Sequence, residues 1–174
     1  MSEPFDWGVK NMIKTISQNE IPACVHVIRD SFLTVANEYG FTEDNAPRFT
    51  AFAMNAERLT WQYEQEHRPM YAYYDADKIV GYYSLALQEN GTCELNNLAV
   101  LPSYRHRGIG GKLLRHAFEE AERYGKTTMK IGIVEENTVL RKWYESYGFV
   151  HIGTEKFDFF PFTCGYMERA VTSR

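Results

Sequence analysis

Residues 105–112 read RHRGIGGK, placing three glycines and three cationic side chains (Arg105, Arg107 and Lys112) in a single octet. The apolar run LAV at 98–100 precedes it, and GKLLRHAFEEAERYG follows with the spacing of an amphipathic helix. A glycine loop that leads from a strand into a helix exposes unpaired N–H groups at the positive end of the helix dipole, which makes an anion site. Two familiar nucleotide loops do not fit. The Walker pattern GxxxxGK[ST] fails because Leu113 follows Lys112 and has no hydroxyl for magnesium; GxGxxG fails because Leu113 stands where its third glycine belongs. What remains is [QR]xxGxG, carried by Arg105, Gly108 and Gly110.

The elements around this loop follow from periodicity and punctuation. Residues 11–17 alternate as a first strand, and a helix follows with Pro22 in its first turn and Gly40 past its end. A second helical stretch, opened by Pro47, keeps Phe52, Ala56, Leu59 and Tyr63 on one face. From Met70 the period becomes that of strands, with turns at DADK and NGT. CELNNLAVLP reads as a strand whose adjacent asparagines, Asn96 and Asn97, have poor strand propensity, so a β-bulge is expected there. After the glycine loop and its helix come the strand TMKIGIVEEN, the short helix TVLRKWYESYG, and the closing strands FVHIGTEKF and FTCGYMERAV. The expectation is one domain over residues 1–174, a mixed α/β sheet with helices on its faces.

Composition narrows the function classes. With 44% hydrophobic and 24% charged residues in 174, the chain reads as a soluble globular protein, and no apolar run approaches the roughly 20 residues that span a bilayer. The N-terminal MSEPFDWGVKNMIKT carries acids and a Trp where a signal peptide needs a basic and then an apolar segment, so the cytoplasm is the expected location and no membrane partner is expected. A net charge of −4 argues against nucleic acid. Cys24, Cys93 and Cys164 form no CxxC pair, and the five histidines form no HxH or HxxxH pair. Buried thiols and no metal are the expectation.

Over residues 92–149 the sequence resembles the GCN5-related N-acetyltransferase (GNAT) superfamily, through ELNNLAVLPSYRHRGIGGKLL, the strand KIGIVEEN, and NTVLRKWYESYGF with its Asn, its Tyr seven residues later and its GF turn. The resemblance implies a mostly antiparallel twisted sheet of six to seven strands with about four flanking helices. It implies acetyl-coenzyme A as cosubstrate, with backbone groups of the segment Leu98, Ala99 and Val100 pairing with the pantetheine arm. The N–H groups of His106, Arg107, Gly108, Ile109, Gly110 and Gly111 would hold the pyrophosphate, with Arg105, Arg107 and Lys112 supplying charge. Gly108 and Gly110 lack the Cβ that would hold phosphate oxygens off the backbone.

Acetyl transfer to an amine needs a base, an oxyanion donor and a proton for the leaving thiolate. Glu94, four residues before Leu98, resembles in position the family's catalytic glutamate; the other position the family uses is here Gly132. A bulge at Asn96–Asn97 would turn a backbone N–H, that of Leu98, toward the thioester carbonyl. Tyr144 matches the family's proton donor to sulfur, and Asn137 either touches the pantetheine arm or caps a helix, or both. The FDFFPF segment at 157–162 offers Asp158 and aromatics to a cationic amine, or else forms a hydrophobic hairpin or homodimer contact. The implied activity is N-acetylation of a primary amine, small or peptide-borne, by direct transfer in a ternary complex. The alternative is an acyl-coenzyme A binding or sensing module without catalysis.

Overall fold

The computed structural model describes residues 12–172. Most of the N-terminal segment read for leader character, and Asn11 at the head of the expected first strand, lie outside the described residues. In chain order the elements are β1 (Ile13–Thr15), α1 (Ile21–Tyr39), α2 (Thr50–Ala53), α3 (Ala56–Glu64), β2 (Met70–Asp75), β3 (Lys78–Leu87) and β4 (Thr92–Val100), followed by α4 (Ile109–Arg123), β5 (Thr128–Val134), α5 (Thr138–Ser146), β6 (Val150–Lys156) and β7 (Thr163–Ala170). Single 3-10 turns precede α1 and follow β4. The strands form one sheet in the order β1-β2-β3-β4-β5-β7-β6, a mostly antiparallel mixed α/β architecture as expected. None of the described helices is long and apolar enough to cross a membrane.

Helix α1 begins where Pro22 fixes its first turn and ends at Gly40, whose φ of 73° lets Phe41 N–H return to Ala36 O at 2.8 Å. Its buried stripe, Ile21, Cys24, Val27, Ile28 and Ser31, packs on the sheet. The second helical stretch is broken where the sequence suggested continuity. Met54 is extended, and Asn55 starts α3 by accepting from Arg58 N–H at 2.8 Å. Arg29 of α1 donates to the Met54 carbonyl at 2.7 Å, satisfying a group that a continuous helix would have used itself. That break makes five helices among the described residues, where about four were expected.

Two features of β4 shape the centre of the molecule. Opposite β3 the register runs Tyr82 to Ala99 and then Ser84 to Asn96, so Asn97 and Leu98 together face Tyr83. This is a bulge one residue later than the expected Asn96–Asn97, since Asn96 stays paired with Ser84; Asn97 takes φ 54°, a left-handed conformation that Asn tolerates better than most residues. On its other side β4 pairs in parallel with β5 only at Thr92, Cys93 and Glu94. Beyond Glu94 the two strands separate, while β5 stays paired with β7 from Thr128 to Val134. The second half of β4 therefore presents an open edge. Below it α4 holds its position by burying Leu113, Leu114, Ala117 and Ala121, each without measurable exposure; a fully buried leucine contributes roughly 1.5–3 kcal/mol.

Candidate active site

The glycine loop meets the geometric demands of an anion cradle. His106 at φ 62° and Gly108 at φ 79° flank Arg107, an alternation of the kind that turns successive N–H groups toward one side in anion-binding nests. Gly108 is the N-cap of α4 and brings no side-chain cap, so the first-turn N–H groups of Ile109, Gly110 and Gly111 have no intrahelical acceptor. The first N–H to close back is that of Lys112, onto Gly108 O at 3.1 Å. A Cβ on Gly110 would meet Trp143 at 3.5 Å, an ordinary contact, whereas one on Gly111 would fall inside the Tyr147 hydroxyl. A side chain at 111 would thus have to push aside the Tyr147 hydroxyl at the end of α5.

A cavity of about 530 Å³ extends from this loop between α1 and α5. It is lined by Leu98 and Val100 of β4, by Arg105, His106 and Gly108 to Gly111 of the loop, by Ser31, Thr34 and Glu38 of α1, and by Asn137, Trp143, Tyr144 and Tyr147 toward α5. Ala99, by contrast, is buried and pairs with Tyr82. The three cationic side chains divide. Arg105 reaches across to α1, donating to Thr34 Oγ1 at 3.0 Å, Ser31 O at 3.0 Å and Ser31 Oγ at 3.2 Å, and burial lowers its basicity. It is a clamp on the loop. Arg107 lies over the Tyr104 ring at 4.9 Å and donates to Ser103 O; it and Lys112 are exposed and line neither cavity.

A second cavity, about 240 Å³, opens where β4 and β5 part. It shares Phe32, Val35, Leu98, Asn137, Leu140 and Tyr144 with the first. Tyr144 is 7% exposed, held edge-on by Trp143 at 4.9 Å and Phe149 at 5.4 Å. Burial pushes its hydroxyl above the ordinary tyrosine value, so it keeps its proton at neutral pH. Asn137 is the N-cap of α5, accepting from Leu140 N–H at 3.1 Å, and also lines both cavities.

Glu94 sits where the strands last pair, opposite Lys130. Burial raises its carboxyl, with Arg68 and Lys130 opposing the shift. With its nitrogen turned toward Glu94, the Asn96 amide donates to Glu94 Oε1 at 3.0 Å and accepts from Arg68 at 3.3 Å. Glu94 lines neither cavity; it lies close enough to Tyr166, a wall residue of the second, to raise the Tyr166 hydroxyl further beyond what burial does. Asp158 is exposed in the β6–β7 turn and lines neither cavity. From the same FDFFPF segment, Phe160 and Phe162 do form wall. Sequence reasoning missed the α1 residues and Arg48, Phe49 and Tyr166, which lie outside any motif. Trp143 and Tyr147 carried a signal, since they recur with Leu140 and Tyr144 at helical spacing.

A model of the acetyltransferase (GNAT) family matches residues 31–149. An uncharacterised N-acetyltransferase of Escherichia coli K12, YjgM, is 30% identical over 150 residues, covering 81% of this chain and 83% of its own. The ribosomal protein bS18-alanine N-acetyltransferase of the same strain is 24% identical over 157 residues, covering 89% and 90%. Among solved structures, the PaiA N-acetyltransferase of Thermoplasma acidophilum in complex with coenzyme A superposes with a TM-score of 0.70 at 18% identity, over 91% of this chain and 97% of that one.

Proposed function

The chain belongs to the GNAT acetyltransferase family, and on that footing we propose that it transfers an acetyl group from acetyl-coenzyme A to a primary amine, directly and within a ternary complex. The observation that carries the reading is the meeting of two cavities at Leu98, Asn137 and Tyr144. One cavity starts at the anion cradle, and the other approaches the same point from the gap between β4 and β5.

The residues present suit the coenzyme. The free first-turn N–H groups of α4 and the left-handed positions of the loop match a pyrophosphate. The open edge of β4 beyond Glu94 leaves Leu98 and Val100 backbone groups for an extended amide-bearing arm. Bound there, the coenzyme supplies an acyl thioester. Leu98, in the bulge, offers its N–H to the oxygen on which charge develops. Tyr144 retains its proton and delivers it to the departing sulfur. Glu94, set back from both cavities with a carboxyl raised by burial, accepts the amine proton through water beside Tyr166.

The test is coenzyme A release on wild type and Tyr144→Phe, with calorimetry of coenzyme A binding on both. Turnover should fall by about 100-fold with affinity little changed, the loss expected for one general acid. Binding without amine-dependent release in the wild type would leave the sensing module as the reading. Equal turnover in the variant would move the proton donor elsewhere.

A further inference from the structure

On the foundation of that proposed acyl transfer, we propose that the acceptor is an apolar α-amino acid, its side chain among the phenylalanines of the second cavity and its carboxylate on Arg48. The walls are Phe32, Phe49, Phe160, Phe162 and Tyr166, with Ile131 and Ile133 from β5. The phenylalanines are fixed by one another: Phe49 meets Phe162 edge-on at 5.7 Å, Phe160 stacks on Phe162 at 4.6 Å, and Phe32 meets Phe49 at 6.0 Å. Phe49 and Phe162 belong to a buried apolar cluster with Phe41, Ala46, Ala51 and Val134. This surface is preformed, and it selects an apolar body.

Charge then separates the acceptor classes. The aromatic walls agree with what the sequence suggested, but no Asp or Glu is among the lining residues, and Asp158 is exposed outside them. Among the described residues Arg48 is the single ionic side chain in the lining. Its guanidinium lies 4.2 Å from the Phe159 ring centre and makes no salt bridge among the described residues. A polyamine entering here would lose hydration at its second ammonium and meet a like charge. A carboxylate would gain the forked, charge-assisted pair for which guanidinium is suited. Size agrees, since about 240 Å³ is below the roughly 300–1,000 Å³ of pockets for drug-sized ligands and suits one amino acid rather than an aminoglycoside.

The experiment measures coenzyme A release at saturating acetyl-coenzyme A with L-phenylalanine, L-leucine, phenethylamine, L-phenylalaninamide and spermidine, for wild type and Arg48→Met. Arg48 is exposed, so the variant should keep its fold. Phenylalanine and leucine should exceed phenethylamine and the amide by about 10- to 100-fold in kcat/KM, and Arg48→Met should collapse that ratio through KM, as loss of one charge-assisted pair implies. Spermidine as the best acceptor overturns the proposal. So does an Arg48→Met enzyme with the wild-type ratio, or an amide as good as the acid, which would reassign the pocket to a peptide N-terminus. If acetyl-coenzyme A binds by calorimetry but no amine in the panel is acetylated, the acceptor class is wrong. If acetyl-coenzyme A fails to bind, the coenzyme groove itself is wrong and this inference falls with it.

Discussion

Replacing Arg105 separates two roles that the sequence alone could not distinguish. As a source of charge for the pyrophosphate, Arg105 would matter only when coenzyme A is bound. As the clamp seen here, with three hydrogen bonds to Ser31 and Thr34, it holds the glycine loop to α1 in the free protein. Hydrogen bonds from a charged donor contribute about 1.5–3 kcal/mol, but these three share one guanidinium whose partial burial costs part of the gain. Arg105→Met should therefore destabilise the free protein by about 2 kcal/mol rather than three times that. For a domain of this size about 1 kcal/mol shifts Tm by roughly 2–4 °C, so the expected fall is about 4–8 °C. Arg105→Lys is the control. It keeps the charge but lacks the planar fork, so it should melt close to the Met variant. The assay is thermal unfolding without ligand, followed by coenzyme A calorimetry on each protein. Unchanged melting in both variants, with coenzyme affinity lost in Met and restored in Lys, would refute the clamp.

Two further outcomes follow from the site. Glu94 holds its proton more tightly in the folded chain than an ordinary glutamate does, so its stabilising contribution is full below the usual carboxylate range and lost as pH rises through the raised value. Glu94→Gln should accordingly show a smaller decline in Tm from acid to neutral pH than wild type, while its turnover drops by about 100-fold and loses the carboxylate-dependent fall at low pH; a wild-type pH–rate profile in the variant would remove Glu94 from the chemistry. Gly110→Ala should melt like wild type because its Cβ finds ordinary contact, whereas Gly111→Ala must displace Tyr147 and should cost about 1–3 kcal/mol, with weakened coenzyme A binding; equal melting of the two would contradict the packing of α5 on the loop.

The sequence made legible those features whose cause is local. Glycines 108 and 110 mark the loop because backbone freedom is a property of single residues, and Asn96–Asn97 mark the bulge to within one residue because two poor strand formers interrupt an apolar run. What it concealed depends on partners distant in the chain. Near Met54 only Asn55, an N-cap residue, signals a new helix start, and the break is completed by Arg29 from α1. Arg105 reads as an anion ligand until Ser31 and Thr34, more than seventy residues earlier, are seen to hold it. In FDFFPF the functional reading took in Asp158 and the aromatics together, yet only Phe160 and Phe162 form wall, and Asp158 is exposed in the turn.

The gap between β4 and β5 also bears on how the acyl group travels. Among the described strands this is the one parallel pair, and α4 links its two members, so the glycine loop and the strand that opens the gap are a single continuous segment. A carrier on the protein would need a thiolate near Tyr144. Cys24 and Cys93 are buried, with thiols pushed up to about 12 and about 11, and neither lines a cavity. Cys164 does line the second cavity, but burial, with Glu155 and Glu136 adding to it, raises its thiol as well. A thiol so placed is scarcely ionised at neutral pH and is a poor nucleophile toward a thioester. On the proposed reading, in which coenzyme and amine arrive on two sides of Leu98 and Tyr144, no carrier is required, and attack by the amine itself is the step these cysteines leave.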